Sequence, residues 1–202
     1  MTTSHGSPSP GLAIIGAGVA GCALAAELSR DQGRAPAISL WETGRGPGGR
    51  AATRRSRRDP ALRFDHGANL FNITNQPAPH LLPTLLERGW VEPWTEGIAI
   101  LGGSGELRPP GEGDALLWGS CFRGRGGMEN LSRGLLQLAA DTVHPHFDTL
   151  IREIDRRGDR WLLKNAQGDL LADSERLVLT GTLLAHPRGK LTFGWTAPPL
   201  QI

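Results

Sequence analysis

The chain has 202 residues, 39% of them hydrophobic and 21% charged, with a formal net charge of +2. That size and balance suit one folded domain or two small interleaved ones; they exclude a disordered chain and a polyelectrolyte binder of nucleic acid. Its 28 glycines and 15 prolines promise many tight turns, but no Gly-X-Y period accompanies them and a collagen-like reading falls away.

Residues 1–10 (MTTSHGSPSP) are polar and lack a basic stretch followed by an apolar one, so they read as a disordered tail and not a secretion signal. No run approaches the roughly 18 apolar residues of a membrane span. Cys22 and Cys121 lie far apart and fit neither a disulfide framework nor a metal knuckle, which makes a cytoplasmic location the default.

The apolar run 12–15 has no alternation and predicts a strand buried on both faces of a parallel sheet. Gly16-Ala17-Gly18-Val19-Ala20-Gly21 follows at once and opens an Ala-rich helix over 22–28. After a turn at 31–35, residues 37–41 predict a second strand ending in Glu42. Strand, helix and strand within about thirty residues make one βαβ unit. Residues 43–59 read as Gly- and Arg-rich loop, and Pro77, Pro79 and Pro83 mark a boundary. A short helix is expected over 81–88, then a strand over 98–101 with a hairpin-like turn at 102–105. Met128, Leu131, Leu135, Leu138 and Ala139 recur at helical spacing, predicting an amphipathic helix to about 140. A strand near 143–147 is expected despite Pro145, then an antiparallel meander over 151–155, 161–165 and 169–173. Residues 177–180 predict a further buried strand.

The first glycine cluster carries the chemistry. In a GxGxxG turn between strand and helix, Gly16 allows the tight turn, Gly18 lets a pyrophosphate approach the backbone, and Gly21 lets helix and strand pack closely. The helix N-terminus then offers N–H groups and its positive dipole end to phosphate. Glu42 stands 21 residues after Gly21, where a carboxylate accepts hydrogen bonds from ribose hydroxyls and would repel a 2′-phosphate.

Gly46-Pro47-Gly48-Gly49-Arg50, following that carboxylate, resembles the glycine-doublet-plus-arginine element of flavin-dependent amine oxidases. Asp65-His66-Gly67-Ala68-Asn69-Leu70-Phe71, Gly126-Gly127-Met128 and the set Ile151, Ile154 and Trp161 are similar to the renalase-like branch of that superfamily. The resemblance implies an α/β fold: a Rossmann-like FAD-binding domain with a parallel sheet and a small antiparallel meander, plus a partial substrate domain. By it, residues 11–75 and 123–182 would form the FAD-binding domain, and 76–122 and 183–202 the partial substrate domain.

The resemblance also implies FAD as cofactor and a small-molecule substrate, an amine or a reduced nicotinamide species that passes a hydride to flavin. Gly16, Ala17, Gly18 and Gly21 would hold the pyrophosphate and Glu42 the ribose. Gly49 and Arg50 would lie along the phosphates and ribitol, Gly67 and Ala68 would approach the isoalloxazine, and Ile151 would contact adenine through its backbone. A planar five-donor cation at Arg50 suits a diphosphate on chemical grounds as well. Flavin chemistry requires no particular acid or base, so no catalytic side chain is named. Asn69 and Leu70 stand where such proteins commonly have Gln and an aromatic residue. The sequence also stops short of the family's C-terminal part, which suggests a shortened member.

Two other functions compete: a reductase using NAD at the first site without flavin, and an inactive nucleotide-binding fragment. The second glycine element is what a plain NAD domain does not need. The arginine run 50–58 reads, Arg50 apart, as a solvated loop and not a nucleic-acid patch, since no aromatic residues interleave it. His144, His146 and His186 raise a metal reading, but His-x-His has no carboxylate or cysteine at ligand spacing, so no metal is expected. Trp90, Trp94 and Trp118 read as packing residues before pocket residues.

Overall fold

The computed structural model describes residues 11–30, 35–114, 117–184 and 186–194. The tail expected over 1–10 and most of the turn at 31–35 lie outside the described residues. The chain divides into two compact units, one made of residues 1–49 and 135–202, the other of residues 50–134.

The first unit is an α/β domain of Rossmann type. Strands β1 (Leu12–Ile15) and β2 (Ile38–Trp41) flank helix α1 (Val19–Ser29) in sequence. Both strands are almost wholly buried, which is why neither shows apolar–polar alternation. Helix α1 turns Cys22, Ala25, Ala26 and Ser29 inward at the three- and four-residue spacing of one helical face. Two later strands, Val143–His146 and Arg176–Leu179 (β10 and β14 in chain order), complete an all-parallel sheet of order β10-β2-β1-β14. Register pairs Ile14 with Leu40 and with Val178. Pro145 is accommodated because β10 is an edge strand, paired only with β2.

The antiparallel meander follows as β11 (Glu153–Arg157), β12 (Arg160–Lys164) and β13 (Leu170–Ser174). Its first strand begins two residues later than expected, leaving Ile151 in the approach to it. Ala13, Trp41, Ile151, Ile154, Leu163 and Ala172 form a buried cluster that ties sheet and meander together. Helix α4 (Arg188–Phe193), absent from the sequence expectations, packs Phe193 against that cluster.

The second unit holds mostly short antiparallel elements. Residues 43–59 were expected to be loop throughout, but a 3₁₀ turn forms over Gly49–Ala51 and a strand β3 over Thr53–Arg55. The strand exists because β4 (Arg63–Asp65) pairs with it, Thr53 opposite Asp65, which local composition does not reveal. β5 (Phe71–Ile73), β6 (Val91–Pro93) and β9 (Ser120–Gly124) make a three-stranded sheet with β9 central. β9 escaped notice because Ser-Cys-Phe-Arg-Gly has neither clean alternation nor an apolar run. A two-residue-strand hairpin, β7 (Ile100–Leu101) with β8 (Leu107–Arg108), closes over the expected turn. Helix α2 (Leu81–Glu87) buries Leu82 and Leu85. Trp90 fills the space over Gly134, where a Cβ would lie 2.5 Å from its ring.

Among the described residues, no helix is long and apolar enough to cross a membrane.

Candidate functional site

The glycine loop after β1 is held by backbone and side-chain bonds from three directions. The Gly16 N–H donates to the Trp41 carbonyl at 2.8 Å. The Thr180 hydroxyl, just past β14, reaches the carbonyls of Gly16 (2.8 Å) and Ile15 (3.1 Å). Gly21 lies so close to the turn that a Cβ there would sit 2.0 Å from the Gly16 carbonyl oxygen and 2.9 Å from Thr180 Oγ1. Helix and strand therefore pack through bare backbone at this point, as the spacing of the motif requires. Sequence reasoning missed Thr180, whose signal is only its place at the end of a third parallel strand.

Gly18 caps α1 with no side-chain hydrogen bond, and the first turn holds no acidic residue. The positive end of the helix is thus left to an external anion. The second glycine element runs directly alongside. The Gly48 N–H donates to the Ala17 carbonyl at 2.8 Å, and Gly18 and Gly48 form a parallel bridge. Gly49, at φ +56°, comes near enough that its Cβ would be 3.2 Å from Gly18 Cα. The outcome is a strip of paired backbone at a helix N-terminus, in which Gly18, Gly48 and Gly49 carry no side chain and the Ala17 methyl is buried. Such a cradle fits a diphosphate.

Glu42 binds the loop itself. One carboxylate oxygen accepts the Ala17 N–H at 2.9 Å and the other the Gly44 N–H at 2.7 Å. Each oxygen keeps a second lone-pair direction for a ribose hydroxyl, but the Ala17 N–H is committed to Glu42. The expected carboxylate thus also fastens the first glycine loop to the second.

A cleft of about 230 Å³ opens beside Glu42 at the C-terminal ends of β1, β2 and β14. Ile15, Trp41, Leu150, Ile151 and Leu183 supply apolar wall; Arg152, His186 and Arg188 are also in its lining. Ile151 lines the cleft although most of its surface is buried in the core cluster. Behind the cleft, the Trp41 ring stacks on His146 with centroids 3.9 Å apart and planes 9° from parallel. Burial, and secondarily the charge of His144, hold the His146 imidazole below the ordinary histidine pKa. Position at the carboxyl ends of parallel strands is where α/β sheets bind ligands.

Within the second unit, Gly67 and Ala68 are exposed and rest on the 3₁₀ turn: the Ala68 N–H donates to the Arg50 carbonyl at 2.9 Å. A Cβ on Gly67 would fall 2.1 Å from that same oxygen. Arg50 is exposed, and among the described residues its guanidinium has no ion-pair partner. Asp65 works structurally here. Its Oδ1 accepts the Thr53 hydroxyl and the Met128 N–H (3.0 Å), at the start of α3 (Glu129–Leu138). Thr53 Oγ1 accepts the next N–H, that of Glu129, at 3.1 Å. Together they satisfy two of the orphan donors of that helix end. His66 is exposed, and Trp118 is half exposed.

The parallel sheet with its glycine turn into α1 is a Rossmann-like α/β fold. A family model described as an NAD(P)-binding Rossmann-like domain matches residues 14–86. No protein of curated function matches the sequence. Among solved structures, a putrescine oxidase variant with redesigned cofactor binding is similar at a TM-score of 0.61 and 15% identity, over 95% of this chain and 61% of that one. A structure assigned as a protoporphyrinogen oxidase from Exiguobacterium sp. 255-15 gives 0.58 and 16%, over 85% and 59%. Glycine oxidase from Geobacillus kaustophilus gives 0.53 and 17%, over 90% and 58%. The chain spans about three-fifths of the length of these structures.

Proposed function

We propose that the chain belongs to an FAD-dependent oxidoreductase of the flavin amine oxidase superfamily, renalase-like in its sequence elements. The observation that carries this reading is the pairing of two glycine loops, Gly16–Gly18 with Gly48–Gly49, into one strip at the start of α1 whose single side chain, the Ala17 methyl, is buried. A second glycine element of this kind is superfluous to a plain nicotinamide-nucleotide domain. In this reading the N-terminus of α1 and Gly18, Gly21 and Gly49 hold the diphosphate, with Arg50 as counter-charge. Glu42 orients the adenosine ribose while keeping the loops in register, and the backbone at Ile151 meets adenine.

A bound isoalloxazine would supply hydride acceptance from an amine or a reduced nicotinamide species. The residues of this chain contribute binding and orientation: preformed N–H groups and a helix dipole that need no rearrangement when the anion arrives. The visible spectrum of the purified protein tests the reading. A yellow chromophore released by denaturation supports it; a colourless, folded protein that resists flavin loading refutes it. A second reading, a dinucleotide reductase without flavin, is favoured by the match of residues 14–86 to an NAD(P)-binding domain. Binding of NAD by such a colourless protein would select it.

A further inference from the structure

We propose that His186 and Arg188 form a clamp that recognises the adenine end of a dinucleotide and so selects FAD over mononucleotide flavin. The inference rests on the dinucleotide reading above and assigns a role to a segment that reading leaves unused. At about 230 Å³ the cleft is smaller than the roughly 300–1,000 Å³ of sites that enclose a whole ligand, so it takes one nucleoside-sized portion. Its lining combines apolar side chains with donors from Arg152, His186, Arg188 and four threonines. The only carboxylate among its lining residues, Glu42, already accepts two backbone N–H groups. An uncharged planar base with ring-nitrogen acceptors matches that combination, and adenine is such a base.

The clamp side is built, not draped. Leu183 and Phe193, on either side of it, pack against the buried cluster of the first unit. The Thr192 hydroxyl donates to the Arg188 carbonyl at 2.9 Å. The Arg188 N–H donates to His186 Nδ1 at 3.1 Å, which places the imidazole proton on Nε2 and makes that atom a donor. Arg188 and Arg152 both line the cleft, and among the described residues neither guanidinium has an ion-pair partner. A guanidinium plane free of a carboxylate is available to stack on a π-face.

Calorimetric titration of the full chain with ADP and, separately, with FMN tests the clamp in Arg188→Ala, His186→Ala and Arg188→Lys. Both side chains are exposed, so their removal leaves the core intact. Each alanine variant is expected to bind ADP about tenfold more weakly, with FMN affinity unchanged. Lysine is expected to restore ADP binding only in part, because it lacks the plane. ADP affinity within twofold of the parent chain in both alanine variants overturns the clamp and leaves the dinucleotide reading standing. Equal loss of ADP and FMN binding also overturns it, as a general disturbance. A folded parent chain that fails to bind ADP removes the dinucleotide reading and the clamp together.

Discussion

Replacing Gly21 with alanine turns the packing of the glycine loop into a signed measurement. In an unobstructed helix the change is favourable by about 1 kcal/mol, because glycine is the poorer helix former. Here the added methyl would lie 2.0 Å from the Gly16 carbonyl oxygen, well inside contact distance, with Thr180 Oγ1 at 2.9 Å on its other side. The obstacle is backbone fixed by the Thr180 hydroxyl, so it cannot swing aside as a flexible side chain would. Overpacking a tight site costs about 1–3 kcal/mol, and this contact belongs at the upper end. Subtracting the helical gain leaves a net loss of about 2 kcal/mol, which for a chain of this size lowers the melting temperature by about 4–8 °C. Thermal unfolding followed by circular dichroism reads the shift, and ADP titration reads the accompanying distortion of the cradle. Gly103→Ala serves as the control, since nothing lies within 4 Å of its Cβ position and a change under about 0.5 kcal/mol is expected. An unchanged or raised melting temperature for Gly21→Ala would refute the argument.

Glu42→Ala removes the acceptors of Ala17 and Gly44 and is expected to weaken ADP binding by about 1–3 kcal/mol, read by titration. Thr180→Val deletes the hydroxyl that holds the turn and should lower stability in urea unfolding by about 1 kcal/mol. Because burial depresses the folded pKa of His146, the unfolded chain binds the extra proton more readily. Its contribution to stability is therefore complete above the ordinary histidine value and fades as pH falls below about 6.5. His146→Phe, which keeps a ring beside Trp41, should lose less stability between neutral and mildly acidic pH; equal losses would count against the assignment. Arg108, with the Gly111 N–H second, holds the Asp114 carboxyl down at about 2, and an NMR titration of Arg108→Ala should return it toward the usual carboxylate range.

The local parts of the fold were legible. The order β1, glycine turn, α1, β2, Glu42 is written within residues 12–42 because buried parallel strands, a helix start and a tight turn each leave compositional marks. What escaped depends on distant partners. Thr180 acts on a loop 164 residues away in sequence, and nothing around it signals that use. The carboxylate of Glu42 was found by its spacing, but its bond to the Ala17 N–H needed the third dimension. β3 lies in a run of arginines and becomes a strand only when β4 arrives, while β9 is central to its sheet without an apolar pattern. α4 has one turn and a half, too short for periodicity to show.

Pro145 has a consequence beyond fitting its strand. The carbonyls of Thr142 and His146 turn toward β2, so the intervening Pro145 faces the other flank, where it offers no N–H to an incoming chain. Another extended segment trying to zip onto this rim would meet a missing rung halfway along. A residue that looked like a flaw in the strand thereby guards the open border of the sheet against self-association.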